Sequence, residues 1–215
     1  VRHAMALAVD RQDIVDTVFL GAATVGNIGW IHPASVFRNV DVQTVHDVDQ
    51  ANGLLDEAGI IDSDGDGVRE LNGEPLSFEF LVASDNSLRI RTAELVREMF
   101  LQIGIDAQVV VMERTAQVQA VWPDFDVSKG RNYQMAVFGW SAPVQADPIR
   151  MATLVHSDPT VGVINLSGYV NPVADELSSE LLRTIDPDRQ QELLSELQAI
   201  IAEDLPFIMI AYPDG

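Results

Sequence analysis

Residues 76–112 read as strand, helix, strand, and that run constrains the fold more than any other part of the chain. Leu76, Phe78, Phe80 and Val82 alternate with Ser77, Glu79 and Leu81, the two-residue period of a strand with one face in a core. From about residue 87 to 103, Ile90, Leu95, Met99 and Ile103 fall near one face of a helix that stops at Gly104. A second apolar run, 105–112, follows at once. Two strands joined by a helical crossover with short links run parallel, and such a crossover is right-handed. An α/β domain is therefore predicted.

The rest of the chain supplies elements to pack on that unit. An amphipathic helix is under way at residue 1, with Ala4, Leu7 and Ala8, then Ile14, Val15 and Val18 on its apolar side. Residues 21–45 are irregular, and they carry Trp30, His32 and Phe37; long connections with aromatics tend to line something. Asp47 or Asp49 caps a helix through Ala51, Leu54 and Leu55 that stops at Gly59. A short helix is expected near 116–122 and a strand over 134–140, broken by Ser-Ala-Pro-Val-Gln-Ala-Asp-Pro. One late helix begins after Asn171-Pro172, and another is capped by Asp186 with Pro187 at its first position. Pro206 ends it, and 207–212 is a continuous apolar run expected to be a buried strand. With no internal repeat and no low-complexity linker, residues 1–215 read as one domain.

Charge narrows the function. A net charge of -20, with Lys129 the single lysine, leaves no basic footprint for nucleic acid or anionic lipid. An acidic, lysine-poor surface of this kind resembles that of proteins from saline habitats, where salt screens self-repulsion. The absence of cysteine removes thiol nucleophiles, disulfides and thiolate metal sites. The chain starts Val-Arg-His-Ala-Met, without a signal-peptide pattern, and reads as a piece of a longer protein.

Residues 61–70 are the densest chemistry. Asp62, Asp64 and Asp66 stand at alternate positions, Val68 offers a backbone carbonyl, and Glu70 lies behind. That is the opening of an EF-hand loop, but position twelve is Gly73 and a strand follows, so an EF-hand is excluded. Two readings stay open: a structural Ca2+ site, or an Asp/Gly turn whose side chains cap their own backbone. Catalytic motifs are wanting. The four histidines are scattered, there is no nucleophile elbow or phosphate loop, and 33 acidic residues make any one carboxylate pair uninformative.

Four segments in fixed order carry a resemblance: 1–15 (VRHAMALAVDRQDIV), 51–71 (ANGLLDEAGIIDSDGDGVREL), 135–148, and 165–172 (NLSGYVNP) with 203–212 (EDLPFIMIAY). Together they resemble the C-terminal lobe of the family 5 extracellular solute-binding proteins, the dipeptide and oligopeptide receptors of ABC importers. The resemblance covers the whole chain. It implies α/β architecture as one lobe of a type II periplasmic-binding-protein-like fold, a mixed sheet flanked by helices. It also implies a non-enzymatic role in solute recognition outside the cytoplasm. The partners would be a peptide or other small solute, the N-terminal lobe of the same protein and a membrane permease, with no nucleic acid.

Ligands of such lobes sit at the carboxyl ends of strands, which directs attention to the loop after Trp140. Trp140, Ser141, Asp147, Tyr169 and Asn171 are the expected ligand contacts, although Asn171 equally suits a helix cap. Where peptide receptors of this kind resemble one another in an aspartate three residues after the tryptophan, this chain has Pro143. Oligosaccharide binding within the same family, a calcium-stabilised interaction domain and a carboxylate hydrolase are the alternative readings.

Overall fold

The computed structural model describes residues 1–139 and 148–214. Its central sheet has the order β5-β4-β6, from β4 (Ser77–Ala83), β5 (Asp106–Met112) and β6 (Met135–Ala136). Both pairings are parallel, with Ser77 opposite Asp106, Ala83 opposite Met112 and Phe80 opposite Met135. The crossover is α4 (Ser87–Leu101), started by Asn86, whose side chain accepts the Arg89 amide at 3.0 Å. The predicted strand, helix and strand are all present. Among the described residues, antiparallel pairing makes two small ribbons, β1 (Ala23–Val25) with β7 (Ala211–Pro213) and β2 (Glu70–Leu71) with β3 (Glu74–Pro75), and a single bridge between Ile61 and Glu70.

Apolar residues gather on both sides of the chain's midpoint. In the first cluster, Phe80 and Val82 of β4 join Val96 and Phe100 of α4, Leu55 of α3 (Val48–Glu57), and Ala4 and Ala8 of α1 (Arg2–Ala8). In the second, α6 (Pro148–Val155), α7 (Pro172–Leu181) and α8 (Pro187–Asp204) bury Val155, Leu181, Leu193 and Leu197 against Trp30 and Ile31. The aromatic loop 21–45 therefore lines a core through Trp30. A wholly buried leucine or isoleucine contributes about 2 kcal/mol, so these faces hold the helices in place.

Three expectations are corrected. The first helix is two helices, because Val9 is extended and Asp10 caps α2 (Arg11–Thr17) by accepting the Asp13 amide at 3.0 Å. The buried Arg11 closes the break, donating from Nη1 to the carbonyls of Ala6 at 3.1 Å and Val9 at 3.3 Å. It also ties down the C-terminal segment, from Nε to the Met209 carbonyl at 2.8 Å. Burial lowers its pKa to about 10.

Among the described residues, the strand expected over 134–140 pairs only at Met135–Ala136. Just beyond it the Val137 amide still donates to the Leu81 carbonyl at 2.9 Å, and Gln117 of α5 (Arg114–Val121) inserts its side-chain amide beside that bond, donating to the Leu81 carbonyl at 3.1 Å and the Val137 carbonyl at 3.0 Å. The run 207–212 is not one buried strand: Phe207 to Ile210 are half-buried and only Ala211–Pro213 pairs. Gly26 lets that tail approach, since a methyl group there would stand 2.4 Å from the Met209 carbonyl oxygen.

Candidate functional site

The carboxyl ends of the three parallel strands converge on one edge. Ala83 leads to Asp85, Met112 leads to Arg114, and Ala136 leads through Val137 and Phe138 to Gly139. Arg114 Nη1 pairs with Asp85 Oδ2 at 3.0 Å across the ends of β4 and β5. Arg89, in the first turn of α4, lays its guanidinium over Gly139: a methyl group on that glycine would stand 2.3 Å from Nη2. Burial lowers the pKa of Arg89, and the positive charge of Arg114 lowers it further. Of the expected ligand contacts, Trp140, Ser141 and Asp147 lie outside the described residues.

Tyr169 and Asn171 are brought together on one carboxylate. The Tyr169 hydroxyl and the Asn171 side-chain amide, the latter at 2.8 Å, both donate to Oδ2 of Asp204 in the last turn of α8. Asn171 Oδ1 meanwhile caps α7, accepting the Val173 amide at 2.9 Å and the Ala174 amide at 3.3 Å. Burial, then the Asp204 carboxylate, push the Tyr169 phenol above its ordinary pKa. This is a lock between two helices. Part of Tyr169 also lines a half-open depression of about 150 Å³, together with Arg131, Ser157 and Asn165.

The acidic loop is compact. Single carboxylate oxygens of Asp62, Asp64, Asp66 and Glu70 all lie within 4.8 Å of one another. Oxygens on opposite sides of a calcium ion, each about 2.4 Å from it, are about 4.8 Å apart, so the set fits that ion. The same side chains also bond the loop to itself: Asp62 accepts the amides of Gly65 at 2.7 Å and Gly67 at 3.0 Å. Glu70 Oε2 accepts the Ser63 amide at 2.8 Å, and the Val68 amide donates to Asp66 at 2.7 Å. The loop thus has the turn geometry of one reading and the oxygen cluster of the other.

A serine, a histidine and an aspartate do meet, at a place the sequence did not signal. His156 Nε2 is 3.1 Å from Ser179 Oγ, and Nδ1 is 3.8 Å from Asp175 Oδ1. The polarity is wrong for a nucleophilic triad. Nδ1 accepts the Asp158 amide at 3.0 Å, so the ring proton is on Nε2 and is donated to the serine. Asp175 is engaged by the Ser157 amide at 2.8 Å. The imidazole pins α7 to the turn after α6.

An α/β lobe with parallel strand ends meeting at an open edge is the architecture of binding proteins that take ligand at that edge. Residues 1–161 match the model for bacterial extracellular solute-binding proteins, family 5 (middle region), and the chain belongs to that family. The oligopeptide-binding protein AppA of Bacillus subtilis (strain 168) is 29% identical over 224 residues, covering 100% of this chain and 38% of AppA. The heme-binding protein A of Haemophilus influenzae is 25% identical over 219 residues, covering 100% of this chain and 36% of that protein. The chain thus spans less than half the length of these relatives. Among solved structures, AppA in complex with a nonapeptide superposes with a TM-score of 0.84 at 28% identity, covering 99% of this chain and 41% of AppA. NikZ of Campylobacter jejuni in complex with Ni(L-His) gives 0.82 at 24% identity over 99% of this chain and 41% of NikZ, a likeness of fold. The four-segment resemblance and the periplasmic-binding-protein-like fold agree with these matches.

Proposed function

We propose that this chain is the ligand-binding lobe of a peptide receptor serving an ABC importer. The reading is carried by the likeness to the B. subtilis oligopeptide-binding protein, which runs across the whole chain in sequence and in fold. In this reading the lobe closes on ligand with an N-terminal lobe, acts outside the cytoplasm, hands its cargo to a membrane permease and performs no chemistry. The ligand lies along the edge made by the ends of β4, β5 and β6, and Trp140, Ser141 and Asp147 are its contacts in the loop that follows Gly139. Tyr169 and Asn171 act indirectly, by setting the position of α7 against α8. A peptide digest should raise the melting temperature of the full receptor, and mannohexaose or haem should not. Stabilisation by the sugar or haem alone would contradict the peptide assignment.

A structural calcium ion held by Asp62, Asp64, Asp66 and Glu70 is the second component of the proposal, supported by the fit of their oxygens to one ion. It would stiffen the connection between α3 and the β2–β3 ribbon, which leads into the amino end of β4, opposite the carboxyl end proposed to meet ligand.

A further inference from the structure

We propose that His156 is a pH-sensitive latch: protonation of its ring releases the turn after α6 and weakens the receptor's hold on its ligand. The second half of that statement rests on the reading of this lobe as a peptide receptor. The imidazole is buried, and both of its nitrogens are engaged. Nε2 donates to Ser179 Oγ of α7 at 3.1 Å, while Nδ1 accepts the Asp158 amide at 3.0 Å. These are the bonds of a neutral ring. A proton on Nδ1 sets two donors against each other, the ring N–H and the Asp158 N–H, so the amide must give way.

The charged ring has a destination. Asp175 Oδ1 of α7 stands 3.8 Å from Nδ1, a small ring rotation away from a charge-assisted bond. The Ser157 amide at 2.8 Å and the Ser157 hydroxyl hold that carboxylate in place, and its lone pairs leave room for a third donor. The charged groups that the described residues bring to the ring are Asp175 from α7 and Asp158 from the turn. From α8, the side chains that enter this core are apolar, among them Leu193, Leu194 and Leu197.

The chain on either side decides what moves. The turn is tight: Gly162 donates to the Asp158 carbonyl at 2.7 Å, and a methyl group on Gly162 would stand 1.8 Å from the His156 carbonyl oxygen. It therefore shifts as a unit rather than at Asp158 alone. Ser157, Pro159 and Gly162 move with it and reshape the depression beside Tyr169. The last turn of α6 is freed at the same time. That helix starts at Pro148, directly after the loop proposed to contact ligand, so the loop loses a fixed support.

The test uses the full receptor between about pH 8 and pH 5, the range in which a histidine changes charge. Ring 15N shifts follow protonation of His156, amide exchange follows the latch, and native mass spectrometry follows capture of a random pentapeptide pool. In wild type the protection factor of the Asp158 amide should fall about fivefold as the ring protonates, the equivalent of one lost hydrogen bond. Peptide capture should weaken by a similar factor over the same range. His156→Asn, whose Oδ1 can accept the same amide without titrating, should keep both level. Asp175→Asn removes the charged acceptor and should move the loss of protection to lower pH. Protection that ignores the state of the ring, or a ring that stays neutral down to about pH 5, overturns the latch. A latch that opens with no loss of capture overturns its link to ligand. If wild type captures no peptide at any pH, the peptide reading fails, and the Asp158 amide still decides the latch.

Discussion

Asn171 and Asp204 are joined by a 2.8 Å hydrogen bond that ties the first turn of α7 to the last turn of α8. Because Asn171 also caps α7, Asn171→Ala should lower stability by about 1 kcal/mol, measured by chemical denaturation at neutral pH. The effect should depend on pH in a stated direction. Hydrogen bonds from Tyr169 and then Asn171 hold the Asp204 carboxyl below its ordinary pKa. Its contribution is therefore present above the ordinary aspartate range and lost as pH falls through the depressed folded value. The stability gap between wild type and Asn171→Ala, or Tyr169→Phe, should narrow in acid. A gap that widens there would contradict the lock.

Arg69 links the end of the acidic loop to α3 and to the turn before β5. Its guanidinium donates to Asp56 and to the Ile60 carbonyl, each at 2.6 Å, and to Asn52 at 3.0 Å, while its stem packs on Gly104. Arg69→Ala should cost roughly 2 kcal/mol, chiefly through the lost stem packing and the unpaired Ile60 carbonyl, since Asp56 is exposed. Arg69→Met should recover part of that loss in a denaturant titration. Equal losses in the two variants would show that packing contributes nothing.

Calcium should raise the melting temperature of the full receptor in a saturable way, by about 2 to 3 °C at a hundredfold excess over its dissociation constant, where one ion adds roughly 2.7 kcal/mol to a protein more than twice this chain's length. Asp62→Asn with Asp66→Asn should abolish the shift. Magnesium should do less, because it resists losing its water shell. A melting temperature indifferent to calcium would leave the loop as a turn held by its own backbone bonds.

Gly26→Ala should be among the most damaging small substitutions. Its methyl group would meet backbone atoms, the Met209 carbonyl oxygen at 2.4 Å and Ile210 at 2.6 Å, which cannot rotate away. A loss of roughly 2 kcal/mol or more is expected, with faster amide exchange in β1 and β7. Unchanged exchange there would place the strain elsewhere.

Features whose cause is local were legible in the sequence. The alternation in β4, the helical period of α4 and the caps at Asp47, Asn171 and Asp186 each depend on residues a few positions apart. The oxygen cluster of the acidic loop was legible for the same reason. Long-range substitutions were not. Gln117 bonds both strands where the β4–β6 pairing ends, and nothing at 134–140 foretells that. Arg11 stabilises a helix break through Met209, whereas the cap at Asp10 was locally readable and went unread.

The most direct measurement is native mass spectrometry of the full-length receptor purified under gentle conditions. The peptide-receptor account predicts a bound mass series that fragments as peptides and exchanges with added peptide. A single co-purified molecule without amide bonds, not displaced by peptides, would contradict it.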